Sequence, residues 1–270
     1  MRYHEREMNM EIKERIEKYW SRRAEEFSQA RLADLNSSQK DMWLNVITSY
    51  LPEKDIIKAL DLGTGAGFYA FLLKDLGCEV TGIDYSPAMI EEAEKNSSLL
   101  GYGDDIHFLQ MDAQKLEFAD ESFDFIISRN VTWTLPDPRK AYEEMCRVLT
   151  PGGRILNFDA NYGQAFAAAD EAGLTEEQRK WSSGGYEYTP QSMDMIRERN
   201  DIAKSLSICS CIRPQWDVDV LLKNGMQKIW LDVNFGNKIY GDKKVYGNSF
   251  EPEKKKTLPT APIFMVGAQK

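Results

Sequence analysis

A doubly wound α/β fold around a mostly parallel, seven-stranded sheet is what this sequence predicts, and three observations predict it. Short apolar runs alternate with helical segments from residue 56 to residue 161. A glycine turn, Gly63-Thr64-Gly65-Ala66-Gly67, separates the first run from the helix that follows it. Acids close the first two runs, at Asp61 and Asp84.

The elements follow in chain order. Residues 11–32 read as a helix, because Ile12, Ile16, Tyr19, Trp20 and Phe27 recur at helical spacing. A second helix runs from Gln39 to Tyr50 on the apolar face of Met42, Trp43, Val46 and Ile47, and Pro52 ends it. IIKALDL reads as a buried parallel strand; CEVTGID is a second strand, IHFLQMD a third, FDFIISRN a fourth and RILNFDAN a fifth. The helix after the second strand has Ser86 as its N-cap and Pro87 at its first position. The helix after the fourth strand is expected to close at Pro151-Gly152-Gly153. Residues 161–212 break the rhythm, being too long for a loop and too irregular for another crossover. They read as a helical insertion over the top of the sheet. WDVDVLLKNG is then a helix, MQKIWLDVNF a sixth strand and APIFMVGAQK a seventh, with a polar, exposed segment between these two strands. The expected organisation is an N-terminal helical cover (1–50), a core with the glycine turn (51–160), a lid (161–212) and a C-terminal part of the core sheet (213–270).

Composition removes several classes of function. With 270 residues and 42% hydrophobic content, the chain can bury one sizeable core. A net charge of −9 disfavours a phosphate backbone as partner, so no nucleic acid is expected. The charged N-terminus has no apolar signal region, and no apolar run is long enough to span a membrane. Cys78, Cys146, Cys209 and Cys211 then read as reduced thiols of a cytoplasmic protein. The Cys209-Ser210-Cys211 pair is by itself a weak metal signal, and no metal is expected.

The glycine turn carries the functional argument. Bare backbone lets the chain bend sharply and lets a ligand approach without a Cβ in its way. The spacing is G-x-G-x-G, whereas nicotinamide cofactors use G-x-G-x-x-G; the third glycine of that pattern would fall on Phe68. Asp84 lies 17 positions after Gly67, where a carboxylate can accept from both hydroxyls of a ribose. Together these features point to a nucleoside whose ligand need not carry phosphates.

ALDLGTGAG, VTGIDYSPAMI, FLQMDAQKLEFADESFDFIISRNV and VLTPGGR, in that order, resemble the class I S-adenosylmethionine-dependent methyltransferases of the small-molecule type. The resemblance covers residues 40–160 and implies a Rossmann-like fold, S-adenosyl-L-methionine as cofactor and a small-molecule methyl acceptor with a nitrogen, oxygen or sulfur nucleophile. It implies that Gly63, Thr64, Gly65 and Gly67 line the methionine part and that Asp61 orients its ammonium. Asp84 would hold the ribose, and Tyr85 and Met89 would flank the adenine. Asp112, at the end of the third strand, would accept from the adenine amine, with the Ala113 N–H meeting the ring. Arg129 and Asn130 would lie near the methionine carboxylate and the transferred methyl. A helix before the first strand would cover the cofactor, with Tyr19, Trp20, Arg23 and Phe27 as its contacts.

Only two histidines exist, His4 in the N-terminal tail and His107 at the start of the third strand, so a histidine base is not expected. Asn130, Asp159 and Tyr186 are the catalytic candidates, with Tyr162, Glu187 and Tyr188 beside them. Trp133 and Trp181 read either as an aromatic cage or as packing between lid and sheet. Arg129-Asn130-Val131-Thr132-Trp133 departs from the Asn-Pro-Pro-aromatic run of nucleobase amino-methyltransferases, which argues against a nucleobase target. A homodimer is left open. Two other readings stand beside this one: a non-catalytic module that binds the same cofactor or supports a partner, and a nicotinamide oxidoreductase.

Overall fold

The computed structural model describes residues 2–171, 190–240 and 262–270. Its centre is a seven-stranded sheet in the order β3-β2-β1-β4-β5-β7-β6. The strands are β1 Lys58–Leu62, β2 Glu79–Asp84, β3 Ile106–Gln110, β4 Phe123–Arg129, β5 Leu149–Asp159, β6 Lys228–Asp232 and β7 Phe264–Gln269. Pairs β1–β2, β2–β3, β1–β4 and β4–β5 are parallel; β7 runs antiparallel to both neighbours. The sequence order reverses between β1 and β4, which opens the crevice where such sheets bind ligands.

Helices cover both faces. They are α1 Arg2–Leu35, α2 Ser38–Tyr50, α3 Phe68–Asp75, α4 Pro87–Leu100, α5 Pro138–Val148, α6 Tyr162–Glu171, α7 Pro190–Ser205, α8 Gln215–Lys223 and α9 Phe235–Tyr240. On one face Trp43 and Ile47 of α2, the Phe68–Leu73 run of α3 and Phe235 and Ile239 of α9 pack on Phe125, Ile127 and Phe158. On the other, Tyr142 and Met145 of α5 and Val220 and Leu221 of α8 pack on Leu60, Leu62, Ile126 and Ile155. Strands buried on both faces are what parallel sheets require, and this explains their continuous apolar runs. A third cluster joins Ile16 and Tyr19 of α1 to Ile202 and Leu206 of α7. The N-terminal helix and the insertion are thus in contact.

Local chemistry sets the element ends. The Ser37 hydroxyl accepts from the Gln39 N–H and starts α2, and the Ser86 hydroxyl accepts from the Met89 N–H and starts α4 before Pro87. Gly101, left-handed at φ 85°, closes α4.

Several expectations need correction. The first helix extends beyond 11–32, because charged helix formers such as Arg2, Glu5, Arg6 and Glu7 precede it and Ala33 and Leu35 continue it. α5 ends at Val148 rather than at Pro151-Gly152-Gly153, and those residues belong to β5, which shifts register against β4 there. The segment after the sixth strand is not uniformly exposed: α9 buries Phe235 and Ile239, while residues 241–261 lie outside the described residues. Among the described residues no helix is long and apolar enough to cross a membrane.

Candidate cofactor and methyl-transfer site

The site grows from the carboxyl ends of β1, β2 and β3, which lie side by side. Strands of one sheet sit about 4.8 Å apart, so acids at three neighbouring ends form a line roughly 10 Å long. Asp61 closes this line on β1, Asp84 on β2, and Asp112 stands just beyond β3.

Between β1 and α3 the chain makes its bend with Gly63, Gly65 and Gly67 at φ 74°, 53° and 93°. All three are left-handed, a conformation that other residues rarely adopt. A Cβ on Gly63 would stand 2.2 Å from Val131 Cγ2, and one on Gly65 would stand 2.9 Å from Phe27 Cε1. Phe27 of α1 therefore lies directly against the bend.

Asp61 is 1% exposed. Its Oδ2 accepts from the Thr64 hydroxyl at 2.6 Å and from the Ala70 N–H at 3.0 Å, tying β1 to the bend and to α3. Burial pushes its carboxyl up to about 7, opposed by these two bonds and aided by the charge of Asp84. Asp84 accepts from Gly65 N–H at 3.0 Å on Oδ2 and from Ser86 N–H at 2.9 Å on Oδ1. Burial lifts it to about 6 against those bonds. No cation partners either acid among the described residues.

Asp112 stands two residues past the end of β3, not at its end as the sequence suggested, because the strand pairs with β2 only as far as Gln110. Its Oδ1 accepts from the backbone and side-chain nitrogens of Gln114 at 2.9 and 3.1 Å. Its Oδ2 accepts from Lys13 Nζ of α1 at 2.5 Å. Burial favours the neutral acid, but Lys13 and Gln114 outweigh it and hold this carboxyl below its ordinary value. Tyr85 is 39% exposed beside this line, and Met89 and Ala113 are buried next to it. From α1, Tyr19 is buried, and its hydroxyl accepts from Arg23 at 3.0 Å. The Ser21 and Ser86 hydroxyls meet at 2.8 Å, docking α1 onto the start of α4.

The β4 end differs. Arg129 lays its guanidinium over the rings of Trp43 and Tyr69, 5.2 and 5.9 Å from their centroids, on the face that packs α2 and α3. Asn130 is left-handed at φ 56°, rare outside glycine and more readily taken by Asn than by most residues. Its Oδ1 accepts from the Tyr162 hydroxyl at 3.0 Å. Trp133 packs on Tyr162 and Phe166 of α6 at centroid distances of 4.8 and 6.3 Å, so it serves as packing between insertion and sheet.

Asp159 needs reassignment. It is wholly buried, its Oδ1 accepts from Ala160 N–H at 2.8 Å, and its Oδ2 accepts from Trp133 N–H at 3.0 Å, from the Thr132 hydroxyl and from Arg213 at 3.1 Å. One donor on Oδ1 and three on Oδ2 tie this carboxylate into the fold rather than into the crevice. Tyr186, Glu187, Tyr188 and Trp181 lie outside the described residues. His107 is exposed on the edge strand β3. Sequence reasoning missed Lys13, Val131, Thr132 and Arg213. Arg213 lies 54 residues from Asp159 and 81 from Thr132, and no local pattern announces such a pairing.

At the position where a dinucleotide turn carries its third glycine, Phe68 is 2% exposed and its ring meets Tyr69 at 5.0 Å. That bulk speaks against a pyrophosphate. The donor and acceptor chemistry fits an adenosyl sulfonium with an amino acid tail: acceptors for an ammonium, two hydroxyls and an aryl amine, and no phosphate-sized nest of cations among the described residues.

Comparison with known proteins agrees. The methyltransferase-domain profile matches residues 53–230. Over 122 residues the chain is 34% identical to demethylmenaquinone methyltransferase of Paenarthrobacter aurescens, covering 45% of this chain and 46% of that protein. Over 117 residues it is 32% identical to phosphatidylethanolamine N-methyltransferase of Cereibacter sphaeroides, covering 43% and 57%. The chain thus spans about half the length of these curated relatives. Among solved structures, an S-adenosylmethionine-dependent methyltransferase of Thermotoga maritima superposes with a TM-score of 0.56 at 17% identity, covering 94% of this chain and 99% of that one. Phosphoethanolamine N-methyltransferase 2 of Haemonchus contortus, in complex with S-adenosyl-L-methionine, gives 0.55 at 18%, covering 84% and 51%. At such identities these two establish the shared fold. With the profile match extending over most of the core, the chain belongs to the methyltransferase-domain family, of the class I, S-adenosylmethionine-dependent type.

Proposed function

We propose that this domain transfers a methyl group from S-adenosyl-L-methionine to a small-molecule acceptor with a nitrogen, oxygen or sulfur nucleophile. The observation that carries the reading is the line of acids at the β1, β2 and β3 ends beside a left-handed glycine bend, with Asp61 and Asp84 held only by hydroxyl and backbone donors. When bound, S-adenosylmethionine supplies a methyl on a positive sulfur, and its departure leaves a neutral thioether. The protein's work is therefore alignment and exclusion of water.

In this reading the Gly63–Gly67 backbone, with Thr64, gives the methionine part room, and Asp61 accepts from its ammonium. Asp84 accepts from the ribose hydroxyls. Tyr85 and Met89 hold the adenine faces, Asp112 takes the amine and the Ala113 N–H meets the ring. Tyr19 and Phe27 close the site from α1. Asn130 borders the transferred methyl, with Arg129 beside it. Tyr186 remains a candidate proton acceptor for acceptors that need one. The relatives' names cover demethylmenaquinone and phosphatidylethanolamine, two unlike acceptors, so the shared core does not fix the acceptor. A net charge of −9 favours a small molecule over nucleic acid. Four free cysteines favour a reducing, cytoplasmic setting.

The test is formation of S-adenosylhomocysteine from S-adenosylmethionine across amine, thiol, carboxylate and hydroxyl acceptors, including quinols. Turnover with one class, abolished by Asp84→Ala, is the expected result. Tight cofactor binding without turnover on any class would make the domain a non-catalytic binding module.

A further inference from the structure

The insertion returns to the sheet through a buried polar network. The Arg213 side chain has no exposure, and neither have those of Asp159 and Asp217. Arg213 donates through Nε to Asp217 Oδ2 at 2.9 Å and through one terminal nitrogen to Asp217 Oδ1 at 2.5 Å. That nitrogen also reaches Thr132 Oγ1 at 2.7 Å, and the other reaches Asp159 Oδ2 at 3.1 Å. Thr132 in turn donates to Asp159 and accepts from Asn157 Nδ2 at 3.2 Å. Asn157 donates to the Tyr142 hydroxyl at 2.7 Å, and Tyr142 donates back to Asp217 at 2.7 Å, closing a ring.

Both feet of the insertion meet beside this ring, at the turn beyond β4. At the entry, Asn161 and Gln164 donate to the Cys211 carbonyl at 3.2 and 3.1 Å, and Tyr162 donates to Asn130. At the exit, Arg213 grips Thr132 directly, and Asp159, which it pairs, holds the Trp133 N–H. The turn Asn130–Trp133 therefore carries one bond from each foot. Its first residue is left-handed, a conformation of low population that surrounding structure must impose.

We propose that Arg213 is a positioning residue for the methyl end of the site: it touches neither cofactor nor acceptor, and through Thr132 and Asp159 it sets the Asn130–Trp133 turn and couples that turn to the insertion. A planar fork with fixed donors suits this role, and an ammonium cannot replace it. The proposal rests on the reading in which Asn130 borders the transferred methyl.

The test uses methyl-13C-labelled S-adenosylmethionine bound to the full chain, its S-methyl resonance read by proton–carbon correlation, with S-adenosylhomocysteine affinity measured in parallel. Arg213→Lys and Thr132→Val are expected to keep that affinity within threefold while the bound methyl resonance moves away from its wild-type position. If Arg213→Lys does not fold, Thr132→Val decides alone, since it leaves both carboxylates paired with Arg213. Bound resonances that coincide with the wild type would overturn the proposal and make the network purely structural. A loss of affinity beyond tenfold in a folded variant would also overturn it, because the network would then support the whole cofactor edge. If wild-type protein shows no bound resonance, the cofactor reading itself fails and this assignment falls with it.

Discussion

Two acids in this molecule sit at comparable places and have opposite surroundings. Asp61 and Asp159 both close a central parallel strand, both are buried, and both bond a threonine in the turn beyond a strand end. Asp159 also faces the buried side chain of Arg213, and both its oxygens accept hydrogen bonds, one on Oδ1 and three on Oδ2. Asp61 has only a hydroxyl and an N–H, both on one oxygen. Burial alone dominates Asp61 and lifts it to about 7, whereas at Asp159 the rise from burial is opposed first by Arg213. Asp61 is left without a cation among the described residues, whereas Asp159 is paired with an arginine from another element. Position in the sheet does not separate these two acids; the charge that faces each of them does.

The largest effect should come from breaking the sealed side. Asp159→Ala leaves Arg213 with a single carboxylate, and removing one partner of a buried pair costs about 3–5 kcal/mol. Urea unfolding checks this, and a loss under about 1 kcal/mol would mean that Asp159 is not the anchor described here. Gly63→Ala probes the open side. Its Cβ would meet Val131 at 2.2 Å on a left-handed backbone, a strain of about 1–3 kcal/mol. S-adenosylhomocysteine affinity should fall about tenfold or more, because either the bend or Val131 in the turn beyond β4 must shift.

Acidity sharpens the contrast. Asp61 and Asp84, at about 7 and about 6, lie above the ordinary carboxylate value. Their neutral forms suit the empty crevice, so this part of the stability is fully present near pH 4 and is lost as pH rises through 6 to 7. Hydroxyl and ammonium donors favour the ionised forms, so cofactor affinity runs the other way. S-adenosylhomocysteine binding should weaken by up to about tenfold per pH unit from 7 to 6 and more steeply below 6, where both acids are protonated, and a flat titration from pH 5.5 to 8 would remove this account. The smallest expected effect is at the α4 cap, where Ser86→Ala removes the bond to the Met89 N–H and costs about 1 kcal/mol of stability.

Much of the open side was legible in the sequence. Glycines in G-x-G-x-G, Asp61 and Asp84 at strand ends, and Ser86-Pro87 at a helix start are local patterns, each set by backbone chemistry within a few residues. The doubly wound order was legible too, because apolar runs alternating with helices leave few topologies. The placement of β7 between β5 and β6 was not, since a buried apolar run does not state its direction. Nor was the sealing of Asp159, which depends on a side chain across the insertion. Lys13 on Asp112 joins residues 99 apart and is equally silent in the sequence. Local rules exposed the glycine bend with Asp61 and Asp84, and long-range pairing hid the partners of Asp112 and Asp159.

The most direct test is a calorimetric titration of S-adenosylhomocysteine into the wild-type chain and into Asp84→Asn, which keeps the shape and removes the charge. Saturable one-to-one binding by the wild type, weakened about a hundredfold or more in the variant, is what a carboxylate gripping two ribose hydroxyls requires. Equal affinity in the two proteins, or no binding by the wild type at millimolar ligand, would contradict it.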